Sequence, residues 1–188
     1  IILSIICLDF VTYLHHALSH ALPMLWRFHK VHHADIDFDV TTGLRFHPIE
    51  ILLSMASKLI VVVLLGAPAL AVLIFEVILN ATSMFNHGNV RLPDQLERFL
   101  RWFVVTPDMH RIHHSAIPSE TNSNFGFNIP WWDYVLGTYQ DYPARGYQEM
   151  VIGLEEYQTD WRAGQLIWLL AFPFLGVSSK RVNSESGL

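Results

Sequence analysis

Three stretches dominate the alternation of apolar and polar positions along this 188-residue chain. Residues 1–22 open as Ile1-Ile2-Leu3-Ser4-Ile5-Ile6 and become histidine-rich at their far end, which predicts a membrane-spanning helix with polar chemistry in its last turns. Residues 49–85 form an apolar run too long for one crossing at about 20 residues per span. Gly66-Ala67-Pro68 interrupts it near the middle, where a turn is cheapest. The run therefore predicts two helices, 49–65 and 69–85, in a tight hairpin. Each arm is short for a full span, so both a crossing and a re-entrant hairpin are open. Residues 164–176 are shorter again and contain Pro173, which favours a segment lying in the interface over a crossing. The chain begins inside an apolar stretch and without Met, so an N-terminal trimming that removes an earlier membrane helix is expected. No basic segment followed by a small-residue cleavage site marks a signal peptide. A single domain is expected over 1–177, followed by a polar tail at 178–188.

These elements have a geometric consequence. The first helix delivers the chain to one side of the membrane, and a hairpin returns it to that side whether it spans or only dips. Segments 23–48 and 86–162 then share a compartment. Nine of the 12 Lys and Arg residues lie in those two segments, which makes that side cytoplasmic by the positive-inside tendency. The expected fold is all-α: an integral-membrane helical protein with a cytoplasmic-facing helical cap. Composition agrees, because 52% hydrophobic residues, 15% charged residues and a mean hydropathy of +0.30 belong to a membrane protein. A net charge of −5 without a basic stripe argues against a nucleic-acid partner. The lone Cys7 excludes a disulfide framework and a CxxC metal site within this sequence.

The chemistry lies in the histidines. His29-Lys30-Val31-His32-His33 is repeated in type as His110-Arg111-Ile112-His113-His114, and His16 and His20 are spaced i, i+4. At about 100° per residue each triplet falls within one arc of a helix, and His16 and His20 stack one turn apart. Eight of the 11 histidines belong to these three groups. One HxxH on a helix is ordinarily a surface or core pair, but three such groups on one membrane face point to a shared site. Neutral imidazole suits Zn, Cu, Fe or Ni. Eight ligands exceed the need of one ion, so two metals with about four nitrogens each fit the count. Three classes remain open at this level: a redox oxygenase, a zinc hydrolase of the membrane and a non-enzymatic metal-binding or transport protein. The hydrolase lacks HExxH and any glutamate inside the motifs. The transporter would want polar residues through several long spans.

The runs DFVTYLHHALSHALPMLWRFHKVHHADIDFDVTTGLRFHP, NHGNVRLP, TPDMHRIHHS and NFGFNIPWWDYVLGTY resemble the fatty acid hydroxylase/sterol desaturase superfamily over roughly residues 9–139. The resemblance implies a membrane non-haem di-iron oxygenase that hydroxylates or desaturates a lipid with O2 as co-substrate. It implies metal ligands at His16 and His20, at His29, His32 and His33, at His110, His113 and His114, and at His87 in the NHGN run. Two iron ions are the expected cofactors, with zinc a substitute in purified protein. Two departures stand out: Ala17, where arginine commonly follows the first histidine, and Ala34, where serine is usual. Neither removes a ligand. This sequence has no Rossmann glycine fingerprint, CxxCH haem site or cluster cysteines, so electrons are expected from an external cytochrome- or ferredoxin-type donor, docking around Arg98 and Arg101.

Several neighbours are candidates for supporting roles. His15 points about 100° away from His16. His47, in the Arg45-Phe46-His47-Pro48 run, precedes the hairpin. Tyr13 shares the face of His16. Asp35, with Asp37 and Asp39, and Asp108 are placed to accept from the outer nitrogens of ligating imidazoles. Glu76, Asn80, Ser83 and His87 fall in one arc of the second hairpin helix, a polar stripe ending at the expected metal site. Glu76 has either a functional role or a partner on a neighbouring helix, and Lys58 either snorkels or pairs with such an acid. Trp131-Trp132-Asp133-Tyr134 suits an aromatic belt or a lipid entry path.

Overall fold

The structure is a computed structural model that describes residues 1–175, and among these no strand forms. The expected tail at 178–188 lies outside the described residues. Ten α-helices follow one another: α1 (Ile2–Ala21), α2 (Pro23–His33), α3 (Pro48–Leu65), α4 (Ala69–Asn86), α5 (Asp94–Leu100), α6 (Pro107–His113), α7 (Pro118–Thr121), α8 (Trp131–Leu136), α9 (Gly146–Glu149) and α10 (Leu166–Ala171). Three of them, α1, α3 and α4, are long and apolar enough to cross a membrane.

The breaks between helices have local causes. Pro23 cannot continue α1, because its ring excludes the helical conformation at Leu22, which is extended at φ −101° and ψ 117°. Pro23 then starts α2 with its fixed φ, and the chain doubles back so that the last turns of α1 face α2. His47 caps α3: its Nδ1 accepts from the Ile49 amide at 3.2 Å, with Pro48 in the first helical position. At the hairpin tip Gly66 takes φ +57°, a conformation that costs an L side chain about 1–2 kcal/mol. Val62 O there accepts from Ala67 N at 3.0 Å. Both arms have 18 residues, or about 27 Å of helix.

α1 packs against α3 and α4, whereas the two hairpin arms touch each other little. The outer surface of the hairpin is apolar and open: Leu59, Val63, Leu64, Leu73 and Val77 are each at least 60% exposed. Such a surface is matched by lipid and not by water. A smaller apolar cluster of Val31, Ala34, Tyr157, Ala163, Leu169 and Phe172 supports α2 from the other side. Ile167 and Phe174 of the 164–175 segment point outward from it at 84% and 65% exposure.

The chain from 151 to 154 straps the two HxxHH motifs together. Ala116 N donates to Val151 O, Gly153 N to His114 O and Leu154 N to His33 O. Gly153 sits at φ +81° with Asp35 O only 2.7 Å from where a Cβ would stand, so no larger residue fits there. Asp37 and Ser119 are exposed on segments that the hairpin places on one side. Single cysteines at these positions, in a Cys7→Ala background, should react with an impermeant thiol reagent from the same face of sealed vesicles. Reaction from opposite faces would mean that residues 49–85 cross once.

Candidate metal centre

Nine imidazoles meet where the ends of α1, α2, α4 and α6 converge. They form two groups whose ligand atoms lie within 4.8 Å of one another: His16, His20, His29, His33 and His113 in the first, and His32, His87, His110 and His114 in the second. The sequence predicts that each HxxHH triplet aims into one space, but the structure divides both triplets. His29 and His33 go to the first group and His32 to the second; His110 and His114 go to the second and His113 to the first. Helix geometry explains the exchange. The i, i+4 pair is about 40° apart and stays together, while the i+3 ring is about 100° from its next neighbour and turns to the other group. Each triplet therefore ties the two groups together.

The outer nitrogens decide which way the rings present their lone pairs. His16 Nδ1 donates to Phe125 O at 2.7 Å, His113 Nδ1 to Ser123 O at 2.8 Å and His87 Nδ1 to Ser83 O at 2.7 Å. A carbonyl only accepts, so Nδ1 carries the proton and Nε2 is left as a lone pair. His29 Nδ1 is held by the Glu50 carboxylate at 2.5 Å. Glu50 is buried on α3, two residues into the membrane hairpin, and the sequence pattern did not single it out. Its signal was an acid one turn from His47 in an apolar helix.

Whether this space suits metal ions can be tested on the inner nitrogens. Nε2 of His16, His20, His113 and His114 is buried with no hydrogen-bond partner. Nε2 atoms face one another at 3.2 Å for His29 and His33, 3.2 Å for His32 and His87, and 3.0 Å for His87 and His110. Two ligands each about 2.0–2.1 Å from one ion stand about 3.0–3.4 Å apart. The inner nitrogens are thus spaced as ligands of shared ions would be, in two groups that could each hold one cation.

The loop 123–128 aims the carbonyls, and Asp133 holds the loop. The Asp133 carboxylate accepts from Phe125 N at 2.8 Å, Gly126 N at 2.8 Å and Thr138 Oγ1 at 2.6 Å, and burial pushes its pKa up. Asn124 adopts a left-handed φ of +50° and is fixed by Met109 O and Gln140 O. Asn86 Nδ2 and Thr82 Oγ1 tie the loop to α4 through Phe127 O and Asn128 Oδ1.

Other expected helpers take different partners. Asp35 binds Arg45 at 2.9 Å and Thr42 at 2.9 Å in place of an imidazole, because the loop after α2 folds back on itself. Asp108 lies in the first turn of α6, near Glu97 and Arg111, and hydrogen-bonds no ring nitrogen. The Tyr13 hydroxyl pairs with Thr138 Oγ1, and its ring meets Phe125 edge-on. His47 stays at the cap of α3 with Leu170 O at 3.3 Å. His15 faces a chamber beside the first group. Glu76 pairs with Lys58 at 2.5 Å and Asn80 donates to Glu76 O, so the stripe on α4 reaches the centre only through Ser83 and His87. Trp132 donates to Asp9 at 2.6 Å, while Trp131 is 48% exposed. Arg101 is not the docking residue expected: it is 8% exposed and bound to Glu97, Asp141, Tyr139 and Tyr147.

Burial and mutual repulsion hold His32, His33, His110, His113 and His114 well below the ordinary imidazole pKa, and His87 is pushed down to about 4.

A sequence model described as fatty acid hydroxylase matches residues 1–138. An ornithine lipid hydroxylase of Rhizobium tropici is 35% identical over 143 residues, covering 76% of this chain and 42% of its own. Alkylglycerol monooxygenase of Xenopus tropicalis is 25% identical over 186 residues, covering 95% and 40%. Human cholesterol 25-hydroxylase is 30% identical over 154 residues, covering 77% and 53%. The chain thus spans about half the length, or less, of these curated relatives. No solved structure matches it.

Two outcomes are expected. Asp133→Ala should lower stability by about 2–4 kcal/mol, since two amides and a hydroxyl lose their buried acceptor, whereas Glu50→Gln should leave the melting temperature near that of the parent and weaken metal retention about 10–100-fold. Equal metal retention in Glu50→Gln and parent would remove the role given to the carboxylate. The second concerns acid. Between pH 6.5 and the depressed folded values (about 4 for His87) the unfolded chain binds protons that the folded chain refuses. Stability of the metal-free protein is therefore present above pH 6.5 and falls by up to about 1.4 kcal/mol per pH unit per histidine below it. Thermal melts at pH 7.5 and 5.5 test this, and coincident curves would contradict it.

Proposed function

The chain belongs to the fatty acid hydroxylase family, and from that membership we propose that it is a membrane-embedded, metal-dependent lipid oxygenase. The observation that supports this best is the pair of imidazole groups, in which Nε2 of His16, His20, His113 and His114 finds no hydrogen-bond partner among the described residues. We assign the first ion to His16, His20, His29, His33 and His113, and the second to His32, His87, His110 and His114. Iron is the proposed metal in both places, and zinc occupies such sites without redox activity.

A redox-active metal pair supplies the activation of O2 that side chains cannot. The protein's own share is position and exclusion. Phe125 O, Ser123 O, Ser83 O and Glu50 hold the outer nitrogens of His16, His113, His87 and His29, which fixes the orientation of those rings and places the proton on Nδ1. Phe38, Phe46, Phe125 and Phe127 pack against the imidazoles and keep water from them. The substrate is a lipid of the surrounding membrane, and hydroxylation and desaturation are both within this chemistry. Electrons come from an external cytochrome- or ferredoxin-type donor, and the face bearing the histidines is cytoplasmic. Residues 1–177 act as one membrane-embedded unit.

The test joins metal analysis to lipid analysis. Iron-replete, folded protein should hold two ions per chain, and cells expressing it under 18O2 should accumulate a lipid with one heavy oxygen that is absent when His110 or His113 is alanine. An iron-loaded protein that leaves the lipidome unchanged would refute the oxygenase reading. One ion per chain would refute the two-metal assignment alone.

A further inference from the structure

The chamber beside the first histidine group has walls that a hydrocarbon chain does not need. It is a cavity of about 510 Å³ between α1, α3 and α4, with His16 and His29 in its wall at one end. The hairpin arms touch each other little, and the lining residues Ile51 and Met55 are 44% and 55% exposed, so the chamber opens sideways toward lipid. Both arms are apolar outside. Yet Glu50, Ser54 and Lys58 recur every four residues along the chamber side of α3, and Glu76, Asn80 and Ser83 line it from α4.

A charge at the centre of a membrane helix costs about 2.5–3.5 kcal/mol or more. An ion pair that only held the arms together is replaceable by packed apolar side chains with little or no loss of stability. Three groups in the wall have capacity left. Glu50 is 6% exposed; one oxygen binds His29 and the other, Oε2, has no partner among the described residues. His15 Nε2 is likewise buried and unpartnered. Lys58 Nζ uses one of its three donors on Glu76. Lys58 stands eight residues beyond Glu50 on α3, or about 12 Å further into the membrane.

We propose that this chamber is the substrate site and that it receives the polar head of a lipid, one carrying an amine or amide donor together with a carboxylate or carbonyl acceptor. The donor meets Glu50 beside the first histidine group, the acceptor meets Lys58, and the hydrocarbon tail leaves between α3 and α4 into the bilayer. Oxidation then falls in or beside the head group and not in the distal chain. The chemistry rests on the lipid-oxygenase reading: one atom of O2 enters a C–H bond, and the other leaves as water with two protons and two electrons from the external donor. The binding orientation does not rest on it.

Photo-crosslinking in nanodiscs reads that orientation directly. The probe is N-hexadecanoyl-lysine carrying an alkyl diazirine either on its amino-acid head or at its chain end. With the parent protein the head diazirine should mark peptides containing Glu50–Lys58 and Glu76–Ser83, and the chain-end diazirine should mark the outer surface around Leu59 and Val63. Lys58→Met/Glu76→Met, checked for retained helix content and melting temperature, should lose at least 10-fold of the head labelling. A chain end found in the chamber, head labelling elsewhere or absent, or undiminished head labelling in a folded double variant each overturns the proposal. The parent map alone decides if the variant does not fold. The same probe, fed under 18O2 to cells that express the protein and supply its electron donor, separates the two readings. Chamber labelling by the head with no heavy oxygen in any lipid supports this proposal and defeats the oxygenase reading. Heavy oxygen in the chain with the chain end in the chamber does the reverse.

Discussion

Nine desolvated imidazoles in one space are the constraint that the rest of the protein answers. Seven of them, His29, His32, His33, His87, His110, His113 and His114, are no more than 1% exposed. Burial and mutual repulsion oppose charging several of them at once, and a neutral ring offers one donor and one lone pair. Where Nε2 atoms face one another at 3.0–3.2 Å, either one ring donates an N–H to the other or a cation lies between them. Folding the cap therefore assembles nitrogens able to hold metal, and any metal bound there adds its free energy to folding.

The loops around that site are better understood as supports than as connections. The described cap has only a small apolar cluster away from the histidines. Its order comes from buried polar residues with several partners each. Asp133 gathers two amides and a hydroxyl; Asn124 gathers Met109 O, Gln140 O and the Gln140 amide. Arg101 joins Glu97, Asp141, Tyr139 and Tyr147, and Glu97 in turn accepts from the Thr106 hydroxyl that caps α6. Such networks stabilise when every member is satisfied and cost heavily when one is lost. Their effect here is positional: they fix the carbonyls that choose the tautomers of His16 and His113.

The hairpin is both anchor and part of the centre. One arm begins with Glu50, which holds His29 of the first group; the other ends at His87, which belongs to the second. An 18-residue helix standing in lipid thus reports to each metal position through its cap-side end. The same arms enclose the chamber, so the helices suited to hold the protein in a bilayer also set what reaches the first histidine group.

The amino-acid sequence by itself determined the helices and the inventory of candidate histidines. Proline at 23, 48 and 68 and glycine at 66 end or start helices through their own backbone limits, and the apolar run around Gly66 has one place to turn. The three histidine groups were legible because i, i+3 and i+4 spacings act within one helix. Only the tertiary structure decided how the imidazoles divide between two groups, since a 100° difference around a helix acquires meaning once another helix stands on each side. It also decided the partners of the outer nitrogens. Glu50, Phe125 O, Ser123 O and Ser83 O hold their rings across distances in sequence from four to 109 residues, and a backbone carbonyl leaves no mark in a residue's identity. Asp35 and Asp108 stood close to histidines in the chain, yet carboxylates follow the nearest cation or amide in space. Local pattern reports what a segment can become, and long-range packing reports what each polar atom finds there.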